Sequence, residues 1–144
     1  ETVELQVATN PGIDAAPLGE AASGGELSRV MLALCGLGAA GSSATLCFDE
    51  IDAGVGGNTA RLVGERLRAL GAGRQVICIT HLPQVASLAA AHFRITKSIG
   101  GAAAIAAVEQ VDGEELVAEI CRMLGADAGD EAASNHAREL LAAA

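Results

Sequence analysis

Residues 44–57 read ATLCFDEIDAGVGG. A run of small and apolar side chains gives way to two acids, Asp49 and Glu50, and then to a glycine-rich turn over 53–57. A short apolar run bounded in this way reads as a buried strand. In open α/β sheets, ligands bind at the carboxyl ends of the strands. Side chains alternate along a strand, so the adjacent acids can divide two tasks. Asp49 can hold Mg2+, directly or through water, and Glu50 can polarise an attacking water. A plain acidic turn at a strand end is the competing reading.

Upstream, Ser23-Gly24-Gly25-Glu26 opens a stretch in which Leu27, Val30, Met31, Leu34 and Leu37 recur at helical spacing. A helix is predicted from Glu26 to about Ala39, closed by Gly41-Ser42-Ser43. Ser followed three residues later by Glu is a capping box. Bare N–H groups at a helix start also form an anion site, and Ser23 adds a hydroxyl donor. The two readings are compatible, because a phosphate can be the cap's outer partner.

Downstream, residues 59–70 read as a helix with Ala60, Val63, Leu67 and Leu70 on one face. QVICIT at 75–80 reads as a second apolar strand, ending at His81 and expected beside the first. A histidine there can donate to a phosphate or hold a water in line with Glu50. It can equally cap the short helix that Pro83 is placed to start. His92 and His136 have no comparable setting and read as ordinary residues.

The ends of the chain complete an α/β pattern. Residues 2–8 alternate like a strand, and 9–22 read as a loop around Asn10-Pro11-Gly12, Pro17 and Gly19. Residues 92–97 and 102–109 form a hairpin signal around Gly100-Gly101. A helix over 114–124, with Leu116, Val117, Ile120, Cys121 and Leu124 apolar and Gly125 at its stop, is followed by a polar link and an Ala-rich helix over 132–143. Helices alternating with short apolar strands imply a sheet that is at least partly parallel.

Composition narrows the function classes. At 144 residues the chain is long enough for one domain with a core. A formal charge of -9 and a single lysine, Lys97, argue against this chain gripping a nucleic acid backbone by itself. Cys35, Cys47, Cys78 and Cys121 are widely spaced in apolar runs. They are expected as small buried residues of a reducing compartment rather than as a zinc site or disulfide framework. No signal peptide is evident, and no apolar run reaches the ~18 residues that span a bilayer. The first residue is not Met, which fits an excised or processed piece.

The order of these motifs is similar to the C-terminal lobe of ABC-type ATPases: a glycine-rich helix start, a strand ending in Asp-Glu, then a strand ending in His. The run after the acids, Ile51-Asp52-Ala53-Gly54, is similar to that of SMC proteins. The longer words ASGGELSRVMLAL (22–34), FDEIDAGVGG (48–57), THLPQVAS (80–87) and HFRITK (92–97), with ATNPG (8–12), resemble the RecN family. The resemblance covers nearly the whole chain and is densest from 8 to 97.

The resemblance implies the C-terminal half of an ABC/SMC-type P-loop ATPase head, with a C-terminal hairpin and two helices. It implies a signature motif at Ser23, Gly24, Gly25 and Glu26 that touches ATP on an opposing head. Asp49 would serve Mg2+, Glu50 would be the catalytic base and His81 the γ-phosphate sensor. Ala53, Gly54, Val55 and Gly56 would form the D-loop region, although SMC proteins usually carry Asp where Gly56 stands. It further implies a cytoplasmic, nucleoid-associated protein, with no membrane association. Its heads would homodimerise with ATP to control the holding of DNA in double-strand-break repair and recombination.

A P-loop needs G-x-x-x-x-G-K-[ST], and Lys97 follows Thr96 rather than glycine. The P-loop is therefore expected in an N-terminal lobe beyond a coiled coil, and the chain alone is expected to be inactive. A non-catalytic interaction module, or the head lobe of another SMC-like chromosome protein, are the alternatives.

Overall fold

A computed structural model describes residues 3–8, 12–21, 23–37, 44–100, 103–127 and 129–144. The helix stop expected at Gly41-Ser42-Ser43, the Asn10-Pro11 part of the first loop and Gly101 of the hairpin turn lie outside them. The chain forms two compact units, Glu1–Thr80 and His81–Ala144.

In the first unit, β1 (Gln6–Val7) pairs antiparallel with β2 (Ala16–Pro17). A short helix α1 (Leu18–Ala21) follows, tied back by the Leu18 N–H to the Leu5 carbonyl at 2.9 Å. This corrects two expectations. The strand predicted over 2–8 shrinks to a pair of residues, and the predicted loop over 9–22 contains a strand and a helical turn. Alternation suggested a half-buried strand, yet Val3 and Leu5 are 88% and 56% exposed and only Val7 of that face is half-buried among the described residues.

Next come α2 (Gly24–Leu37), β3 (Leu46–Phe48), α3 (Gly57–Gly71) and β4 (Val76–Cys78). β3 and β4 are parallel, with Leu46 opposite Val76, Cys47 opposite Ile77 and Phe48 opposite Cys78. A parallel pair needs a long crossover, and α3 supplies it. The Ile79 N–H donates to the Phe48 carbonyl at 2.9 Å, so the pairing runs on past β4. Phe48 is buried and Leu46, Val76 and Cys78 are half-buried, whereas Cys47, Ile77 and Ile79 on the other face are exposed. Parallel strands are ordinarily covered on both faces, so this pair is covered on one. The expectation that all four cysteines are buried fails at Cys47 for this reason. All are free thiols, and Cys121 is buried while Cys35 and Cys78 are half-buried.

α3 buries Ala60, Val63, Gly64 and Leu67, much as its spacing predicts. α2 behaves differently. Leu27, Met31 and Leu34, on the predicted apolar face, are all exposed by more than a third. Gly25 and Leu32 are buried instead, with Ser28 and Arg29 half-buried beside them. The helix docks through a face of small and hydrogen-bonding residues and leaves its greasy face uncovered.

The second unit opens with α4 (Pro83–Ala86), where Pro83 starts the helix as expected. β5 (His92–Gly100) and β6 (Ala103–Val111) form an antiparallel hairpin, registered from His92 opposite Val111 to Gly100 opposite Ala103. α5 (Gly113–Met123) and α6 (Glu131–Ala142) follow. The core here is Val117, Ile120, Cys121 and Ala137, with Leu116, Leu124 and Leu140 packed around it. Gly125, at φ +80°, ends α5 with the Ala126 N–H reaching the Cys121 carbonyl, the left-handed stop predicted for it. Asp130 caps α6, accepting the Ala133 N–H at 3.0 Å. Among the described residues, no helix is long and apolar enough to cross a membrane.

Candidate functional site

The Ser23–Glu26 box forms as read from the sequence. The Glu26 carboxylate accepts the Ser23 N–H at 2.8 Å and the Ser23 hydroxyl at 3.0 Å, while the Glu26 N–H reaches Ser23 Oγ at 3.4 Å. These bonds favour the charged carboxylate, so the pKa of Glu26 lies below its ordinary value, chiefly through the Ser23 backbone N–H. Ser23 and Gly24 remain exposed at the mouth of the helix.

The start of α2 is docked on the turn that carries the acids. A Cβ on Gly25 would stand 2.8 Å from Ala53 Cβ and 2.9 Å from the Glu50 carbonyl oxygen, so only glycine permits the approach. A Cβ on Gly24 would meet Glu50 Oε2 at 3.3 Å. One helical turn on, Ser28 Oγ donates to the Asp49 carbonyl at 3.2 Å. Arg29 Nη1 donates to the carbonyls of Ile51 at 3.2 Å and Ala53 at 2.9 Å. Glycine-rich helix start and acidic strand end, some 25 residues apart in sequence, thus form one surface.

Glu50 has φ +55°, the left-handed region, and among the described residues no other non-glycine does so. That conformation costs roughly 1–2 kcal/mol for a residue with a Cβ, and residues so held gather at functional sites. The Glu50 N–H donates to Asp49 Oδ1 at 2.9 Å, and the Glu50 carbonyl accepts from Ala53 at 3.0 Å. The reversal turns the Glu50 side chain back toward Gly24. Beyond the turn, Gly54 is also left-handed at φ +71°, and Gly56 caps α3 from an extended backbone without a side-chain bond. Ala53, Gly54 and Gly56 are exposed and Val55 is half-buried.

Asp49 is exposed at the end of β3. Among the described residues, no group of three or more His, Cys, Asp and Glu gathers as a metal cage. One hard oxygen ligand still fits Mg2+, which is commonly held by one or two carboxylates together with substrate phosphates. His81 is exposed and follows Thr80 directly. His92 and His136 serve locally, with the His92 ring on the Ala86 carbonyl at 2.7 Å and His136 near Glu139 at 3.6 Å.

Over 144 residues the chain is 46% identical to the DNA repair protein RecN of Treponema pallidum (strain Nichols), covering 99% of this chain and 25% of the relative. It is 45% identical over 142 residues to the RecN of Streptomyces coelicolor and 39% identical over 142 residues to that of Bacillus subtilis (strain 168), in both cases covering 98% of this chain and 25% of the relative. The chain belongs to the RecN family. It spans about a quarter of the length of the curated relatives it matches. No protein-family model matches it. A chain solved in work on the structural biochemistry of ATP-driven dimerization and DNA stimulated activation of SMC ATPases shares its fold, with a TM-score of 0.51 and 21% identity over 83% of this chain and 79% of that one. The likeness is one of fold, and it agrees with the expected α/β class.

Two groups in this RecN-family chain escaped the sequence reading. The sequence reading gives Ser28 and Arg29 no role, and their bonds to the 49–53 turn supply one. Asp52 looked like a third turn acid, yet it is 3% exposed and accepts the Thr80 hydroxyl at 2.5 Å. Residue type alone does not separate Asp52 from the exposed Asp49 and Glu50; burial does.

Proposed function

We propose that this chain is the C-terminal lobe of an ATP-hydrolysing head that acts in DNA double-strand-break repair and recombination. The docking of the Ser23–Glu26 helix start on the Asp49–Ala53 turn carries the reading, because it makes one surface of a phosphate-suited helix mouth and a carboxylate pair. Ser23, Gly24 and Gly25 would meet the γ-phosphate of ATP held by a second head, where the positive end of a helix favours an anion. Asp49 would hold Mg2+, which neutralises phosphate charge when bound. Glu50 would take the proton of the attacking water, and His81 would sense the γ-phosphate. The stretch Ala53–Gly56 would lie at the head–head interface as the D-loop.

The lysine-bearing phosphate cradle belongs, in this reading, to an N-terminal lobe of the same protein. The uncovered face of β3 and β4, with Cys47, Ile77 and Ile79, and the uncovered side of α2 support such a neighbour. Holding DNA falls to the whole protein, since a charge of -9 leaves this chain unsuited to gripping it. The setting is the bacterial cytoplasm at the nucleoid.

Two measurements test this. The purified chain should show no Mg2+-dependent ATP hydrolysis above background. In the full-length protein, Glu50→Gln should stop turnover and accumulate ATP-dependent dimers in light scattering, while Ser23→Arg should prevent them. Turnover by the chain alone, lost in Glu50→Gln, would overturn the split site. Wild-type turnover in full-length Glu50→Gln would overturn the base.

A further inference from the structure

Asp52 is a buried carboxylate that no step above uses. It is 3% exposed, and the Thr80 hydroxyl donates to its Oδ2 at 2.5 Å. Burying a carboxylate is costly without such bonds, and bonds to ionised acceptors are short and strong. The surroundings hold Asp52 still. Arg29 grips the carbonyls on either side of it, at Ile51 and Ala53. The Asp52 carbonyl accepts the Val55 N–H at 3.2 Å, and the Glu50 carbonyl closes the preceding turn.

The other end of the bond sits where the chain leaves the parallel pair. The Ile79 N–H donates to the Phe48 carbonyl at 2.9 Å, one residue beyond β4. Thr80 is the next residue, and His81 follows it. Asp52 also lies two residues beyond Glu50 within one tight turn. The Thr80–Asp52 side-chain bond therefore ties the turn carrying Glu50 to the residue that precedes His81.

We propose that Asp52 is a positioning residue for His81, acting through the Thr80 hydroxyl. The inference rests on the sensor role given to His81 above. The carboxylate touches no nucleotide. It holds Thr80, the residue from whose backbone His81 continues.

The test is a double-mutant cycle in the full-length protein. Thr80→Val keeps the shape and replaces the hydroxyl with a methyl group. Its kcat should fall about tenfold or more, with the KM for ATP within about twofold of wild type. Thr80→Ser, which keeps the hydroxyl, should stay within about threefold of wild type. In a His81→Ala background, Thr80→Val should cost less than about twofold more, because the link acts only through the histidine. A Thr80→Val loss that multiplies fully onto His81→Ala, or Thr80→Val turning over like wild type, overturns the proposal. If Thr80→Val does not fold, Asp52→Asn keeps the shape, weakens the charge-assisted bond and enters the same cycle with the same criterion. Should His81→Ala itself turn over normally, it is the sensor assignment that falls, and the single variant reveals this before the cycle is built.

Discussion

A methyl group on Gly25 would stand 2.8 Å from the Cβ of Ala53, closer than non-bonded carbons approach. The first turn of α2 and the turn after β3 are in backbone contact at this point, with Ser28 and Arg29 bonding the adjacent carbonyls. Any movement of the helix mouth is therefore a movement of the Glu50 turn.

Gly25→Ala must push two pieces of backbone apart. Overpacking of this kind typically costs about 1–3 kcal/mol. Gly24→Ala meets only the end of the flexible Glu50 side chain, at 3.3 Å. Urea unfolding should show a clear loss for Gly25→Ala and little for Gly24→Ala. Equal midpoints for the two variants would show that the close contact does not hold in solution.

Glu50 sits at φ +55°, where glycine is at home and a β-carbon is not. Removing its carboxylate has opposite consequences according to what replaces it. Glu50→Gly should be more stable than Glu50→Ala by about 1 kcal/mol, because only the alanine keeps the strain. Both should lack turnover in the full-length protein. The pair separates the carboxylate's chemistry from the turn's conformation, and thermal unfolding reads the second.

The capping box should fail in acid. The pKa of Glu26 is lowered in the folded chain, so its contribution is complete above the ordinary value of 4.5 and is lost as pH falls from there through the lower folded value. Amide exchange in the first turn of α2 should accelerate over that window. Glu26→Gln, whose amide oxygen can still accept from Ser23, should keep much of the protection at neutral pH and lose the acid step. A wild-type protection profile flat down to the lowest folded pH would count against the box.

The cysteines report on the uncovered sheet face. Cys78 is half-buried, and burial, with Asp52 nearby, pushes its thiol up to about 12, so it stays protonated and unreactive at neutral pH. Cys47 is exposed beside Ile77. Mass spectrometry after alkylation should find Cys47 modified and Cys78 spared in this chain. In the full-length protein Cys47 should be protected too, if the N-terminal lobe covers this face. Rapid labelling of Cys47 at full length would mean that this face stays uncovered there.

Much of the fold was legible in the sequence because local signals are strong where the chain must make a regular element. The spacing of Ala60, Val63 and Leu67 marked both α3 and its buried face, and Gly125 marked a left-handed helix stop. For α2 the period marked a helix, but the docked side is not the one that carries Leu27, Met31 and Leu34. Periodicity records which side chains are apolar, and it cannot say which neighbour covers them. Cys47 was misjudged for the same reason, since a strand apolar on both faces is buried only as far as its partners reach.

What the sequence determined by itself was the order and chemistry of the site: a capped glycine-rich helix start, a strand ending in Asp49 and Glu50, a strand ending in Thr80 and His81, and kinship with the RecN family. These are local or linear properties, written in residue type and spacing. Tertiary structure alone decided that Gly25 meets Ala53, that Arg29 holds the carbonyls around Asp52, and that Asp52 is a buried anchor for Thr80 rather than one more turn acid. Those contacts join residues about 20 to 30 apart in sequence. They exist because the crossover of α3 lays β4 beside β3, bringing Thr80 to the turn after the acids, while a glycine lets α2 close onto its other side.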